Sequence, residues 1–318
     1  MNSLGLSLLF RMGCVCARET VDINGRKYRI RSRIAEGGFS VVDLVEDMRT
    51  HKSYALKRIY CHSKSDEKQA VQEMEFHNQI KHPFILECIS SSLRGTPDVL
   101  NNSRSELLLL LPYHSRGSLQ EDLQRRMNRK NHFSEEYVLR LFLKICQGVE
   151  IIHNAQPVVL AHRDLKPGNI LLTMEDNPVI MDFGSMGKAR YEIKGIIQAR
   201  SLQDFASERC SMPYRAPELF NVESFGTIDE RTDIWSLGCL LYALCFFKSP
   251  FDLAYERGDS VALAVVSGNI FIPENSPYSP SLHDLIHSLL VVNAMERPFI
   301  NDVIKNVDTR LQTAINAV

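Results

Sequence analysis

His162-Arg163-Asp164-Leu165-Lys166-Pro167-Gly168-Asn169 and, thirteen residues after that asparagine, Asp182-Phe183-Gly184 decide how this chain reads. The first run places a carboxylate, an ammonium and an amide within six residues. Asp164 can accept a proton from an attacking hydroxyl, Lys166 can neutralise a phosphate oxygen, and Asn169 can ligand a divalent metal. The second run adds Asp182, a carboxylate with a turn-forming glycine two residues later. Phosphoryl transfer asks a protein for in-line positioning and charge neutralisation more than for covalent chemistry, and these residue types supply both. Ile170-Leu171-Leu172 and Val179-Ile180-Met181 read as short apolar strands around a Glu175-Asp176-Asn177-Pro178 turn. A hairpin there sets Asn169 and Asp182 side by side. Either run alone is common by chance; both, in this order and spacing, are not.

The pair resembles the eukaryotic protein kinases. That resemblance implies an α+β, bilobal fold, with a small β-rich N-lobe, a larger and mainly helical C-lobe, and ATP with Mg bound between them. On it we expect a tail over residues 1–19, an N-lobe over 20–113 and a C-lobe over 114–318.

The bulk numbers agree with a globular protein of that size. The chain has 318 residues, 44% of them hydrophobic and 24% charged, so a real core is expected. A formal net charge of −1 gives no support for nucleic-acid binding through a general basic surface. Eight cysteines, six of them scattered singly, show neither zinc spacing nor a dense secreted pattern, which points to a reducing compartment. The longest apolar run, Leu237 to Phe247, is too short to span a bilayer and reads as a buried helix. Leu4 to Phe10 lacks a preceding basic stretch and a small-residue cleavage site, and makes a poor signal peptide.

Upstream of the catalytic run, Thr20 to Tyr28 reads as a hairpin turning on Asn24-Gly25. Ala35-Glu36-Gly37-Gly38-Phe39-Ser40-Val41-Val42 follows, where adjacent glycines let the backbone approach phosphates. Against the kinase template the three glycine positions fall on Ala35, Gly37 and Ser40, with Val42 last, so two of the three glycines are absent. Tyr54-Ala55-Leu56-Lys57 matches the kinase strand pattern. Alternation puts Ala55 and Lys57 on one face, the small residue leaving room for adenine and the lysine reaching the phosphates. Asp66 to Ile80 reads as a charged surface helix ending before His82-Pro83. Glu67, Glu73 and Glu75 all lie on it; the resemblance selects Glu73 as the ion-pair partner of Lys57. Leu107 to Leu111 reads as a buried strand that opens into Pro112-Tyr113-His114, which the resemblance implies is a hinge whose backbone would bind adenine, with Leu111 behind it. The polar stretch from Arg94 to Arg104 reads as a mobile loop. The resemblance also places Leu171 against the nucleotide.

Downstream, Ser134 caps a helix whose Val138, Phe142, Ile145, Val149 and Ile152 recur at steps of four and three. This is core that holds the catalytic run. From Asp182 to Ala216-Pro217-Glu218 the resemblance implies an activation segment and a peptide-docking ledge. It also implies that Ser211 touches Asp164 and Lys166, that Asp233 binds catalytic-loop backbone, and that Arg297 pairs with Glu218. Lys166, two residues after Asp164, is the serine/threonine choice. Ser201-Leu202-Gln203-Asp204 reads as a capped helix start inside the segment, its Leu202, Phe205 and Ala206 face packed on the large lobe. That helix is expected to order the segment without phosphorylation.

The Glu-Gly-Gly-Phe-Ser loop, the Asp-Phe-Gly-Ser continuation and the long activation segment resemble the Numb-associated kinases. Cys14-Val15-Cys16, Asp229-Glu230-Arg231-Thr232-Asp233 and Gly258 to Val265 narrow the likeness to that family's acylated member, which implies a Golgi-associated and vesicular setting on the cytoplasmic face of membranes. Met12-Gly13-Cys14-Val15-Cys16 becomes an acylation site if Met12 initiates, because myristoylation needs a free glycine amine on Gly13. One myristoyl chain binds membranes only marginally, and palmitoyl groups on Cys14 and Cys16 make the attachment stable. The expected activity is ATP-dependent phosphorylation of protein serine or threonine. The rival is a pseudokinase scaffold that binds partners without chemistry. Ala35 and Ser40 favour the rival, and Lys57, Asp164, Asn169 and Asp182, all present, oppose it.

Overall fold

Short alternating strands and one charged helix build the first lobe. It comprises β1 (Thr20–Ile23), β2 (Arg26–Glu36), β3 (Ser40–Asp47), β4 (Ser53–Cys61), α1 (Lys64–Gln79), β5 (Ser90–Arg94) and β6 (Ser105–Pro112). The second lobe follows as α2 (Leu119–Arg129), α3 (Glu135–His153), β7 (Leu160–Ala161), β8 (Ile170–Leu172), β9 (Pro178–Ile180), β10 (Gly187–Lys188), β11 (Tyr191–Lys194), α4 (Ile196–Arg209), β12 (Phe225–Ile228), α5 (Arg231–Phe246), α6 (Asp252–Arg257), α7 (Val261–Ser267), α8 (Pro280–Leu289) and α9 (Ile300–Asn316). This is the α+β, two-lobed arrangement the motifs imply. The computed structural model describes residues 19–38, 40–97 and 103–316. Phe39, residues 98–102 of the polar loop, and Gly13, Cys14 and Cys16 lie outside them.

The N-lobe strands form one sheet in the order β1-β2-β3-β4-β6-β5, every neighbouring pair antiparallel. The first hairpin turns on Asn24 and Gly25, both with positive φ (53° and 80°), the geometry an Asn-Gly pair adopts at least strain. β6 serves two cores at once because side chains alternate along a strand. Leu107, Leu109 and Leu111 pack with Ile59, Ala70 and Val179 on the cleft side, while Leu108 and Leu110 join Val21, Ile23, Tyr28 and Val45 on the other. α1 starts on a capping box in which Ser63 and Asp66 satisfy each other's backbone N–H.

The C-lobe core is built on α3 and α5. The five apolar residues read from the α3 periodicity are all fully buried, and Ser134 caps the helix by accepting from the Tyr137 N–H. Every residue of α5 from Arg231 to Cys245 is buried, and Trp235 stacks on Phe251 at 5.7 Å. β8 and β9 pair as the expected hairpin, with Ile170 opposite Ile180. Gly148 lets α3 press against it: a Cβ there would lie 2.7 Å from Ile180 Cδ1 and 3.3 Å from the Phe84 carbonyl oxygen. Among the described residues no helix is long and apolar enough to cross a membrane.

The helix in the segment after Asp182 exists, but its start differs from the reading. α4 begins at Ile196, with Gly195 as its N-cap, so Ser201 is an interior residue and caps nothing. Gly195 has φ 146°, open to glycine, and the Gln198 side chain accepts the Lys194 N–H at 2.8 Å. Ile196 and Ile197 start the helix in solvent, 53% and 83% exposed, and so give no apolar signal of its beginning. Ala199, Leu202 and Ala206 are the buried face, Phe205 only half-buried.

Candidate active site

β4 carries Lys57 into the cleft between the lobes, on the same face as Ala55, which pairs with Leu111 across the ladder. Lys57 Nζ donates to Glu73 Oε1 at 2.7 Å and to Asp182 Oδ1 at 2.7 Å. Glu73 is therefore the glutamate of α1 that reaches the lysine, while Glu67 pairs with Lys64 at the helix start. Burial works against the Lys57 ammonium, but the Asp182 and Glu73 carboxylates outweigh it and hold its pKa above the ordinary lysine value. In return Lys57 holds Asp182 well below the usual carboxylate range. Burial pushes Glu73 the other way, with Lys57 opposing it.

The second cluster sits on the loop between β7 and β8. Asp164 Oδ1 accepts the Ser211 N–H at 2.8 Å, and Oδ2 accepts from Asn169 Nδ2 at 2.8 Å and lies 2.8 Å from Lys166 Nζ. Lys166 Nζ also donates to Ser211 Oγ. The Asn169 amide donates again to the Asp164 carbonyl at 2.8 Å, which leaves Oδ1 as its ligand end. β8 and β9 then carry Asn169 and Asp182 out of one hairpin, the Met181 N–H donating to the Asn169 carbonyl at 2.9 Å. A carboxylate half open to solvent beside an amide oxygen is the oxygen-donor chemistry that Mg accepts, so these residues fit that ion.

The backbone under this cluster is braced from α5. Asp233 accepts the N–H groups of His162 and Arg163 at 2.7 and 2.8 Å and lies 3.0 Å from His153 Nε2. Although burial opposes ionisation, these donors keep Asp233 below its ordinary pKa. Arg163 and Asp182 hold left-handed φ angles of 64° and 66°, conformations that non-glycine residues keep only where their surroundings enforce them. Phe183 sits between two imidazoles, 4.5 Å from His77 and 5.9 Å from His162. His162 Nε2 donates to the Met181 carbonyl and its Nδ1 accepts the Asp164 N–H, which settles the tautomer. Neither histidine stack was visible in a motif, because His77 lies eighty-five residues from His162.

At the mouth, Ala35 and Glu36 end β2 opposite Val42 and Val41, and the Gly37 N–H donates to the Ser40 carbonyl at 2.8 Å. Among the described residues, a Cβ on Gly38 would meet nothing within 4 Å. Leu111 is buried behind Pro112, Tyr113 and His114, and Leu171 faces the same cleft-side core. Below the site, Arg297 forks onto Glu218 at 2.8 and 2.7 Å and donates to three backbone carbonyls, fixing the 216–218 ledge. Arg163 lies over the rings of Tyr191 and Phe205, 5.2 and 5.7 Å from their centres, which ties the catalytic loop to α4.

Comparison with known proteins agrees with this geometry. The protein kinase domain family matches residues 28–307. Serine/threonine-protein kinase 16 of Rattus norvegicus is 45% identical over 287 residues, which is 90% of this chain and 91% of that protein. The Homo sapiens protein of the same name is also 45% identical, with the same coverage. Serine/threonine-protein kinase ENV7 of Saccharomyces cerevisiae is 28% identical over 347 residues, covering 91% of this chain and 94% of that protein.

Proposed function

The chain belongs to the protein kinase family, among its serine/threonine kinases, and from that premise we propose that it is a working Mg-ATP-dependent enzyme that phosphorylates protein hydroxyls at a membrane surface. The observation that carries the catalytic part is the two-sided engagement of Lys57 by Glu73 and Asp182, beside an Asp164 held by Ser211, Lys166 and Asn169. The lysine, the two metal-ligand candidates and the proton acceptor are all in place together, which favours the enzyme over a scaffold without chemistry.

In this reading Asp164 orients the acceptor hydroxyl and takes its proton, a contribution of about 10²–10⁴-fold for a positioned base. Lys57 orders the nucleotide phosphates, and Glu73 keeps Lys57 aimed. Lys166 neutralises charge on the transferred group, and its bond to Ser211 ties that charge to the peptide-docking ledge. Asn169 and Asp182 would hold Mg, whose positive charge would offset that of the nucleotide phosphates. Gly37, Gly38 and the neighbouring backbone cover the phosphates, and the backbone of Pro112 to His114 binds adenine between Ala55, Leu111 and Leu171. A radiolabelled phosphate-transfer assay on a generic acceptor protein, with Asp182→Ala as the control, tests this. Transfer well above the control supports the enzyme; none above it leaves the pseudokinase.

The membrane part rests on Met12-Gly13-Cys14-Val15-Cys16 and on the likeness to Numb-associated kinases. Myristate on Gly13 with palmitate on Cys14 and Cys16 supplies the two signals that stable attachment needs, and the setting we propose is the cytoplasmic face of Golgi and vesicle membranes. Intact-mass measurement of the cellular protein tests it. A product starting at Met1 with no lipid on Gly13, Cys14 or Cys16 removes the anchor.

A further inference from the structure

α1 is a helix with a weak hydrophobic grip. Its buried residues are Ala70, Glu73, Phe76 and His77, two of them polar, so its seating depends on directed contacts as much as on apolar area. Gln69 lies one turn before Glu73 and so on the same face. Its side chain is engaged at both ends: Oε1 accepts from Arg209 Nη2 at 2.8 Å, and Nε2 donates to the Gly184 carbonyl at 3.3 Å. Gly184 in turn borders both acids of the lysine cluster, since a Cβ there would lie 3.4 Å from Glu73 Oε2 and 3.5 Å from Asp182 Oδ1. Arg209 closes the last turn of α4, two residues before the Ser211 that holds Asp164. Its positive charge also favours the ionised form of Glu73.

Next to this contact is an incompletely filled space. A solvent-open groove of about 230 Å³ lies between α1, Phe183 and α4, lined among others by Lys68, Gln72, Phe76, Met186 and Phe205. On that side no packed core blocks a shift of the helix, so its position depends on the polar contacts that cross the groove.

We propose that Gln69 and Arg209 are positioning residues, a strap through which the seating of α4 holds α1 in the place where Glu73 engages Lys57. The strap joins segments 140 residues apart and reaches the lysine cluster through Gly184 and Glu73. It rests on the kinase reading above and deepens it, because it makes the order of α4 a condition for the Lys57–Glu73 pair. Loss of either side chain frees α1 to move into the adjacent space.

The test compares wild-type protein with Gln69→Ala, Gln69→Met, Gln69→Glu, Arg209→Ala and the Gln69→Ala/Arg209→Ala double variant. Hydrogen–deuterium exchange of the peptide spanning residues 64–79 is the first readout, and kcat against KM for ATP the second. We expect Gln69→Ala and Gln69→Met to speed exchange of α1 and to lower kcat about tenfold, with KM for ATP changed less than about threefold. Arg209→Ala leaves the Gln69–Gly184 bond and should move both readouts the same way by a smaller amount. The double variant should be no worse than Gln69→Ala, because that change already cuts both ends of the strap. Gln69→Glu keeps an acceptor for Arg209 but loses the donor to the Gly184 carbonyl, and should recover only part of the protection. Unchanged α1 exchange in the folded single variants overturns the proposal, as do additive losses in the double variant. Exchange is read without catalysis, so a wild-type protein that transfers no phosphate would defeat the enzyme reading while leaving this one decided by α1.

Discussion

His77 should make this protein lose stability as the medium is acidified, through one identifiable group. The imidazole is buried in α1 against Phe183, and its Nδ1 donates to the Leu86 carbonyl at 2.8 Å. Burial, with the nearby Lys57 charge adding to it, pushes its pKa from 6.5 down to about 4. In the unfolded chain the same ring takes up its proton as pH falls through 6.5. Between those two values the unfolded state binds the extra proton, so stability falls as pH falls. At about 1.4 kcal/mol per unit, a shift of roughly 2.5 units amounts to about 3 kcal/mol in full, of which ~2 kcal/mol is already lost at pH 5. Urea unfolding of the wild type and of His77→Leu, from pH 8 to pH 4.5, measures it. Leucine has no proton to gain, so the difference between the two curves isolates the imidazole from every other titrating group. The wild type should lose ~2 kcal/mol more than the variant between pH 8 and pH 5. Parallel curves, agreeing within about 0.5 kcal/mol across that range, would refute the reasoning.

Glu73→Gln should lower kcat/KM about 100-fold, near 2.7 kcal/mol of transition-state stabilisation, with the fold retained; steady-state kinetics and a thermal melt check both halves. Gly148→Ala forces a methyl against Ile180 and should cost about 1–3 kcal/mol, and Ile180→Val, which deletes the clashing Cδ1, should restore part of it in the double variant. Arg297→Lys cannot reproduce the fork onto Glu218 and should destabilise by roughly 3–5 kcal/mol, read as a lowered urea midpoint. Phosphatase-treated protein should keep most of its activity, because Arg163 is already engaged by the rings of Tyr191 and Phe205; loss of nearly all activity means that α4 needs phosphate to order.

The parts of the site that sit on one continuous run were legible before any coordinates. Asp164, Lys166, Asn169 and Asp182 are within nineteen residues, and the hairpin that joins them is written as two apolar triplets around a turn. α3 and the buried stretch of α5 were equally plain, because period and continuous apolarity translate directly into burial. What was not legible depends on contacts between distant segments. Nothing local separates Glu73 from Glu67 and Glu75; only the placement of α1 over β4 does. The false cap at Ser201 shows the converse weakness, since a serine followed by an acid three residues later also fits a helix interior. The true start hangs on the backbone of Gly195, and on two isoleucines that face solvent. Gln69, His77 and Arg209 belong to no motif at all: His77 acquires its meaning only where α1 meets Phe183 and Leu86, and the other two only where α4 lies beside α1.

The run of five leucines in β6 carries an ambiguity that its burial conceals. Sliding the strand one residue past β4 exchanges leucine for leucine on both faces across most of its length, so the hydrophobic pattern that normally pins a strand says almost nothing here. Such a slip would carry Pro112 to Ala55 and displace the hinge by about 3.4 Å, with the two cores still filled. The alignment has to come from residues that bury little. Arg58 Nε donates to Glu106 Oε1 at 2.7 Å, a diagonal pair across the two strands that only the native alignment permits. A part-buried ion pair therefore acts as an index mark for the ladder. Its loss would show less as lowered stability than as a slowly exchanging second population, correctly collapsed and wrongly threaded, whose hinge backbone is out of step with the lysine beside it.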